Sequence, residues 1–228
     1  MSDFKGIKPD AIMLLAENRF NNSKMFYDEN KETLKKEVTL PLYELIGSLQ
    51  SELYELDKEM CLIPSKMISR FRRDTRYSRD KSLYRENVWI MFMRNKHQWE
   101  HQPCMWLEFS PNGTDWGIGI FHCQPSVMEC FRKHLDERGE EFLSAYKKIK
   151  KYGAQYDFDS YKKDKSEGKD QRLKDFYNAK NLYFINHSPS LEKIIDGSIE
   201  EELRSWIKAA SPMYKFLIGV MEDMYEQK

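Results

Sequence analysis

The sequence has no excess of charge of either sign. Lysine and arginine total 37, aspartate and glutamate total 37, and the formal net charge at pH 7 is zero. Proteins that wrap long polyanions usually carry a clear basic excess. A general affinity for nucleic acid is therefore not indicated, and any basic signal has to be local.

Long apolar runs are also missing. The first ten residues, MSDFKGIKPD, contain no apolar stretch typical of a signal peptide. No later stretch approaches the roughly 18 apolar residues that a membrane-spanning helix needs. We therefore expect a soluble, cytoplasmic protein with no membrane partner, and we expect its four cysteines to be reduced thiols.

Familiar catalytic and cofactor motifs are absent as well. There is no GxSxG elbow, no P-loop pattern and no HExxH pair. Gly117 and Gly119 are not followed by a third glycine that opens a helix, so they do not form a dinucleotide fingerprint. These absences leave any catalytic residues unassigned and predict no cofactor.

The histidines and cysteines give only a weak metal signal. His97 and His101 are four residues apart, as are Cys130 and His134, a spacing that places two ligands on one face of a helix. His122 adjoins Cys123, but there is no CxxC pair and no clustered set of carboxylates. We interpret these residues as surface histidines and buried thiols and predict no metal site.

Helical patterns occupy both ends of the chain. Pro9 suits a first helical turn, Asn21-Asn22 breaks the pattern, and a second helix is expected over about 23–38. Pro41 opens a third helix with one apolar stripe: Leu42, Leu45, Ile46, Leu49 and Leu53.

Helices are predicted again toward the C-terminus. Ser126 with Glu129 resembles a capping box, and Gly139 suits a helix end. A second capping box is formed by Ser198 and Glu201, and Ser211-Pro212 suits the start of a last helix. The charged stretch 160–175 is expected to be an exposed loop.

The middle of the chain has strand patterns. We expect strands over 68–76, 88–93, 105–110, 116–123 and 182–185. The run VWIMFM suits a buried strand, and Pro111-Asn112-Gly113 predicts a hairpin turn between the third and fourth strands. The whole chain, residues 1–228, is therefore predicted to form one α+β domain with a mainly antiparallel sheet, packed with N-terminal and C-terminal helices.

One segment concentrates positive charge. Residues 66–96 contain ten basic and only three acidic residues, so this segment carries +7 and the rest of the chain −7. If 68–76 is extended, Asp74 shares a face with Arg72 and Arg76 and orients both. Phosphate and carboxylate groups are bound by arginine guanidiniums, lysine ammoniums and hydroxyl groups, and the segment contains all three kinds, with Lys81 among its lysines.

Residues 69–86, SRFRRDTRYSRDKSLYRE, closely resemble the signature R-x-x-R-D-x-R-F-S-x-D-K-x-P-Y-K of the family called Domain of Unknown Function 2461. Tyr77, Leu83 and Arg85 replace the usual Phe, Pro and Lys. The matching residues are Arg70, Arg73, Asp74, Arg76, Ser78, Asp80, Lys81 and Tyr84.

Two further elements resemble that family. The N-terminal one comprises Asn21-Asn22, Phe26 and Asn30-Lys31, with Met25 in place of Trp, and the other comprises Gly117, Gly119, His122 and Pro125. The resemblance covers roughly residues 18–190. It implies the fold class and the choice of site, and it supplies no chemistry.

The basic segment has three interpretations. In the first, Asp74 and Asp80 close a structural ion-pair network. In the second, the segment belongs to a binding module for a small anion or a short nucleic acid, and the nearby aromatic residues contribute to binding: Tyr77, Tyr84, Trp89 and Trp99. In the third, an enzyme acting on a phosphorylated substrate uses Asp74 or Asp80 as base. A scaffold whose basic face docks a protein partner is a further functional alternative.

We favour binding of a compact anionic ligand, because three acids do not neutralise ten bases. The predicted ligand-binding residues converge on one concave, electropositive surface. They are Arg70, Arg73, Asp74, Arg76, Ser78, Lys81, Tyr84 and Arg85.

Overall fold

The computed structural model describes residues 4–95, 102–121 and 123–226. His97, His101 and Trp99, which figured among the candidate residues, and His122 lie outside these residues. Within them, the backbone contacts define two compact units. The first takes the described residues up to Phe92 with Trp106–Asp115 and His187–Ser205, and the second takes the described residues of Met93–Met105, Trp116–Asn186 and Trp206–Lys228.

The N-terminal helices begin and end where the local sequence predicts. Pro9 occupies the first turn of α1, and Asn22 ends this helix in the left-handed conformation with φ of 46°. Ser23 caps α2 by accepting a hydrogen bond from the Phe26 N–H at 3.4 Å. The helical elements are α1 Pro9–Asn21, α2 Lys24–Leu34, a π-helical turn Lys35–Thr39, α3 Leu40–Ser48, α4 Gln50–Leu56 and α5 Pro64–Met67.

The predicted apolar stripe is the core of the first unit. Leu42, Leu45, Ile46, Leu49 and Leu53 all have no exposed surface. Burial of a leucine or isoleucine side chain contributes about 1.5–3 kcal/mol, so this stripe accounts for much of the stability of the helical layer.

The five strands form one antiparallel sheet in the order β1-β2-β3-β5-β4. Their bounds are β1 Val88–Phe92, β2 Pro103–Ser110, β3 Gly113–Ile120, β4 Gln155–Asp157 and β5 Leu182–Ser188. The VWIMFM strand, the strand beginning at Leu182 and the hairpin around Pro111-Asn112 are confirmed. Strand β4 was not predicted, because its three residues are too short to show a period.

The predicted strand over 68–76 is wrong. This segment forms only isolated bridges, of Ile68 with Ile90 and of Arg72 with Tyr84. Beyond Arg73 the chain leaves the ladder because Asp74 Oδ1 accepts the Arg76 N–H at 3.1 Å. Such local side-chain bonds offer the backbone an alternative to sheet pairing.

The C-terminal helices differ from expectation at three points. Gln124 is the N-cap residue of α6 and Pro125 is its first residue, so Ser126 lies inside the first turn and is not the cap. The helix also does not end at Gly139 but continues through it, with a kink at Arg138. Pro212 lies inside α9, whose buried side chains on both sides of the proline offset its missing hydrogen bond. The helices are α6 Pro125–Lys151, α7 Lys174–Asn178, α8 Glu192–Asp196 and α9 Ile199–Glu226, with a 3-10 turn at Gln171–Leu173.

Aromatic rings form the core of the second unit. Phe142 lies 5.4 Å from Phe131, 4.6 Å from Phe176 and 5.3 Å from Phe216, centroid to centroid. Edge-to-face and tilted pairs of this kind add to the burial of apolar area. Helices and an antiparallel sheet together confirm the α+β class. None of the helices that the structure describes is long and apolar enough to cross a membrane.

Candidate functional site

The basic motif, residues 69–86, is an irregular loop. It starts beside β1, where Ile68 pairs with Ile90, and it leads back into β1 at Val88. The Arg73 N–H donates to Leu83 O at 2.8 Å, and the Arg85 N–H donates to Phe71 O at 3.1 Å. The Ser69 N–H donates to Trp89 O at 2.9 Å. These bonds close the loop at its base, so the charged residues between Arg73 and Leu83 project from a fixed stem.

Asp80 organises one half of this loop. Its Oδ2 accepts from Arg73 Nη1 and, at 2.9 Å, from Arg19 Nη2 of α1. Its Oδ1 accepts from the Ser82 hydroxyl and, at 2.9 Å, from the Ser82 N–H. The bonds from Ser82, with those from Arg73 and the charge of Arg19, hold the pKa of the Asp80 carboxyl well below its usual range.

Asp74 organises the other half with a local pair. Arg76 Nε and Nη2 donate to the Asp74 carboxylate at 3.0 and 2.7 Å, a bidentate contact. These bonds lower the pKa of Asp74 to about 2. The predicted orientation of Arg72 by Asp74 is not observed, because the backbone is not a strand here. Lys81 Nζ instead donates to Thr75 O at 2.8 Å, which ties the two halves together.

Tyr84 anchors the motif against the N-terminal helices. It is only 2% exposed and stacks on Tyr27 with ring centroids 4.9 Å apart. Next to it, the Leu83 N–H donates to Asn22 Oδ1 at 2.6 Å. Tyr84 is therefore a structural anchor whose ring is closed to a ligand, contrary to the sequence-based prediction of a binding role.

Arg85 forms no ion pair with an acid among the described residues. Its guanidinium lies over the Trp89 ring, with Cζ 4.2 Å from the centroid, and its Nε is buried without a hydrogen-bond partner. Burial, and then the neighbouring charge of Arg73, lower the pKa of Arg85. The Glu108 carboxylate acts in the opposite direction, but it accepts a hydrogen bond from Asn87 at 2.8 Å rather than pairing with Arg85.

The predicted residues thus fall into distinct positions. Arg73 and Ser78 meet at 3.3 Å beside Asp80, and Arg85 lies close enough to Arg73 for their charges to interact. Asp74 with Arg76 forms a separate exposed pair. Among the described residues, no acid forms an ion pair with Arg70, Arg72 or Arg79.

Sequence reasoning missed Arg19 and Tyr27, which hold the motif, and named Asn22 only as part of the Asn21-Asn22 element. Arg19, Asn22 and Tyr27 all come from α1, its cap and α2, and each contacts the motif directly. The adjacent Asn21-Asn22 element was a usable signal, since it belongs to the same family pattern, but sequence spacing does not show what it touches.

A surface groove elsewhere in the first unit has the wrong charge for an anion. It runs along α1 and the π-helical turn and is lined by Lys8, Asp10, Glu17 and Glu37 among others. Lys8 Nζ already pairs with Glu37 Oε2 at 2.7 Å. The acids outnumber the base, so we assign no ligand to this groove.

The described residues give no support for metal binding. They contain no group of three or more histidine, cysteine, aspartate or glutamate side chains arranged to hold an ion. His134, whose spacing suggested a ligand pair, is buried and has Nε2 2.7 Å from Asp223 Oδ2, while the Cys130 thiol donates to Val220 O at 3.3 Å. Cys61, Cys104, Cys123 and Cys130 are free thiols.

The basic motif and the match to a family model lead to the same family. The model of the family described as Conserved hypothetical protein (DUF2461) matches residues 10–216 of the 228. The chain therefore belongs to the DUF2461 family, which confirms the resemblance seen in the motif and extends it at both ends. Neither the curated proteins nor the solved structures contain a significant match to this chain.

Proposed function

We propose that the basic motif binds a compact anionic ligand that carries a phosphate or carboxylate group. The observation that carries the proposal is the environment of the Arg85 guanidinium. Arg85 is half-buried, makes no ion pair with a described acid, and keeps its Nε without a hydrogen-bond partner. An unsatisfied buried donor destabilises a fold by about 1–3 kcal/mol unless something binds it.

The distribution of acids supports this role. Asp74 and Asp80 are each engaged by arginines, and their oxygens are further occupied by backbone and serine donors. Arg94, at the far end of the segment, pairs with Glu222 at 3.4 Å. A purely structural network requires acids that pair with its arginines. Within the described residues, no acid forms an ion pair with Arg70, Arg72, Arg79 or Arg85.

The rigidity of the motif supports binding as well. Arg73 is held by Asp80 and Ser78, and Arg85 by the Trp89 ring. Because these guanidiniums are already ordered, an anion that reaches them restricts few additional rotamers, and preorganisation of this kind increases affinity.

The aromatic side chains favour a compact ligand over a nucleic-acid strand. Tyr84 is buried and stacked on Tyr27, and Arg85 lies over one face of the Trp89 ring. Tyr77 is 93% exposed, but Arg76 Cζ lies 5.7 Å from its ring centroid. Binding of single strands rests on successive aromatic platforms.

The enzyme alternative receives less support. A general base works best with a pKa near the operating pH. The hydrogen bonds that Arg76 donates lower the pKa of Asp74 to about 2, and those around Asp80 lower its pKa further below the usual range. Both carboxylates are therefore weak bases at neutral pH and act as positioning groups for arginines.

Isothermal titration with inorganic phosphate at fixed ionic strength tests the proposal. We expect saturable binding that Arg85→Gln weakens at least about tenfold, since one hydrogen bond to a charged group contributes about 1.5–3 kcal/mol. Lys66→Gln is the matched control, because it removes one charge from the same segment at an exposed position without an ion pair. Equal effects of the two variants, or no saturable binding by the parent, would overturn the proposal.

A further inference from the structure

Three cations surround one tyrosine ring in the second unit. Arg132 Cζ lies 5.3 Å, Lys165 Nζ 4.7 Å and Lys180 Nζ 5.4 Å from the centroid of the Tyr161 ring. They come from α6, from the charged loop and from the residue two before β5. Three separate parts of the chain thus bring a positive charge close to the same ring. We call this group the cation cradle: Arg132, Lys165 and Lys180 around Tyr161.

Hydrogen bonds fix the loop side of the cradle. The Tyr161 N–H donates to Asn178 O at 2.8 Å, and the Lys165 N–H donates to Asn178 Oδ1 at 2.7 Å. The Lys180 N–H donates to Asp159 O at 2.7 Å. The backbone of the predicted exposed loop is therefore held in place at Tyr161 and Lys165, and the backbone of Lys180 is held beside it.

Arg132 is fixed from the helix side. Its Nε donates to Tyr177 O at 2.7 Å and its Nη2 to Ala179 O at 2.9 Å. The guanidinium is half-buried and bonded to neutral carbonyls, and no acid among the described residues forms an ion pair with it.

The acids of the loop do not neutralise the cradle. Within the described residues, none of Arg132, Lys165 and Lys180 forms an ion pair. Asp164, next to Lys165, accepts instead from Ser166 and from Asn178 Nδ2 at 3.0 Å. Like charges that are brought together and fixed repel each other, and the ring of Tyr161 offsets only part of this repulsion.

We propose that the cation cradle is a second oxyanion site, separate from the basic motif, and that it binds a phosphate monoester. A phosphate monoester carries a charge of about −1.5 to −2 at pH 7, which suits three uncompensated cations better than a singly charged carboxylate does. Its oxygens accept hydrogen bonds from both lysines, with Arg132 behind them.

The test measures phosphate bound by the full chain in equilibrium dialysis at fixed ionic strength. Arg85→Gln is used as background, so that the basic motif does not contribute. In this background we expect one bound phosphate, whose affinity falls at least tenfold in Lys165→Gln/Lys180→Gln. Arg132 is left in place because it also holds two backbone carbonyls.

Lys162→Gln/Lys163→Gln is the matched control, since both lysines are exposed, lie in the same loop and are not among the cations around Tyr161. We expect it to retain binding within about twofold. Equal loss in both double variants, retention in Lys165→Gln/Lys180→Gln, or no binding in the Arg85→Gln background overturns the proposal. If Arg85→Gln does not change phosphate binding, the proposed function of the basic motif is wrong. The comparison of Lys165→Gln/Lys180→Gln with Lys162→Gln/Lys163→Gln still tests the cation cradle in that case.

Competition identifies the source of the phosphate. Glycerol 3-phosphate should displace bound inorganic phosphate, and a short oligothymidylate, whose diester groups carry one charge each, should not. Displacement by the oligonucleotide alone would show that the cradle follows a nucleic-acid backbone and would overturn assignment to a monoester. Melting of each variant by circular dichroism confirms that it is folded.

Discussion

Arg19 and Asp80 are 61 residues apart in the sequence, yet Arg19 Nη2 donates to Asp80 Oδ2 at 2.9 Å. The same oxygen accepts from Arg73. One carboxylate therefore holds a helix of the N-terminal layer and the basic motif together, and it keeps two guanidiniums close to each other.

Replacement of Asp80 should destabilise the protein more than replacement of Asp74. Asp80→Asn leaves Arg19 and Arg73 facing each other without a carboxylate, whereas Asp74→Asn breaks only an exposed pair between residues two apart. Urea unfolding should show a clearly lower midpoint for Asp80→Asn and a small change for Asp74→Asn. Similar midpoints would show that the link to α1 adds nothing.

Acid should weaken the fold through the same carboxylates. Their folded-state pKa values lie below the usual 3.8, with that of Asp74 at about 2. The stability that they contribute is complete above the unfolded pKa and is lost as the pH falls through the folded one. The free energy of unfolding of the parent should therefore fall more steeply below pH 4 than that of Asp80→Asn. Parallel curves would contradict the assignment.

Two glycines should respond to alanine in opposite directions. A Cβ at Gly119 in β3 meets Leu182 O at 2.0 Å, a backbone atom that does not move freely, so Gly119→Ala should destabilise by at least about 1–3 kcal/mol. Gly47 in α3 has open space around it, and Gly47→Ala should stabilise by about 0.5–1 kcal/mol. Thermal and urea unfolding measure both, and a tolerated Gly119→Ala would show that β3 and β5 are less close than described.

The Cys123 thiol should react slowly in the folded protein. Burial raises its pKa from 9.0 to about 12, which lowers the fraction of reactive thiolate at neutral pH roughly a thousandfold. Labelling with a thiol reagent, followed by mass spectrometry, should show modification of Cys123 only after unfolding in urea. Cys123 is partly exposed, so rapid labelling of the native protein would mean that its surroundings do not raise the thiol pKa.

The sequence predicted those elements whose signals are local. The stripe from Leu42 to Leu53, the buried strand VWIMFM and the turn at Pro111-Asn112 each follow from spacing or turn chemistry within about ten residues. The wrong strand over 68–76 failed for a local reason too, because Asp74 captures the Arg76 N–H that a strand would have used.

The candidate site was less predictable because its contacts are not local. The choice of the basic motif followed from charge and from the family signature, but the links of Asp80 to Arg19 and of Leu83 to Asn22 each join residues 61 positions apart. Sequence period also gave no indication that Tyr84 is buried while Tyr77 is exposed. Tyr161 and Lys165 of the cation cradle lie in a stretch that composition alone predicted to be a solvated loop, and Arg132 and Lys180 come from outside it.

The melting temperature of Arg85→Gln, with and without saturating phosphate, tests the central claim most directly. A ligand that binds only the folded state raises the melting temperature, so phosphate should stabilise the parent. Without phosphate the variant should melt close to the parent, because relief of repulsion with Arg73 offsets the lost contact with Trp89. With phosphate, in a Lys165→Gln/Lys180→Gln background that removes binding at the cation cradle, most of the stabilisation should be lost on adding Arg85→Gln and kept on adding Lys66→Gln. A marked drop of the variant without phosphate, together with no effect of phosphate on the parent, would show that the motif is a structural network.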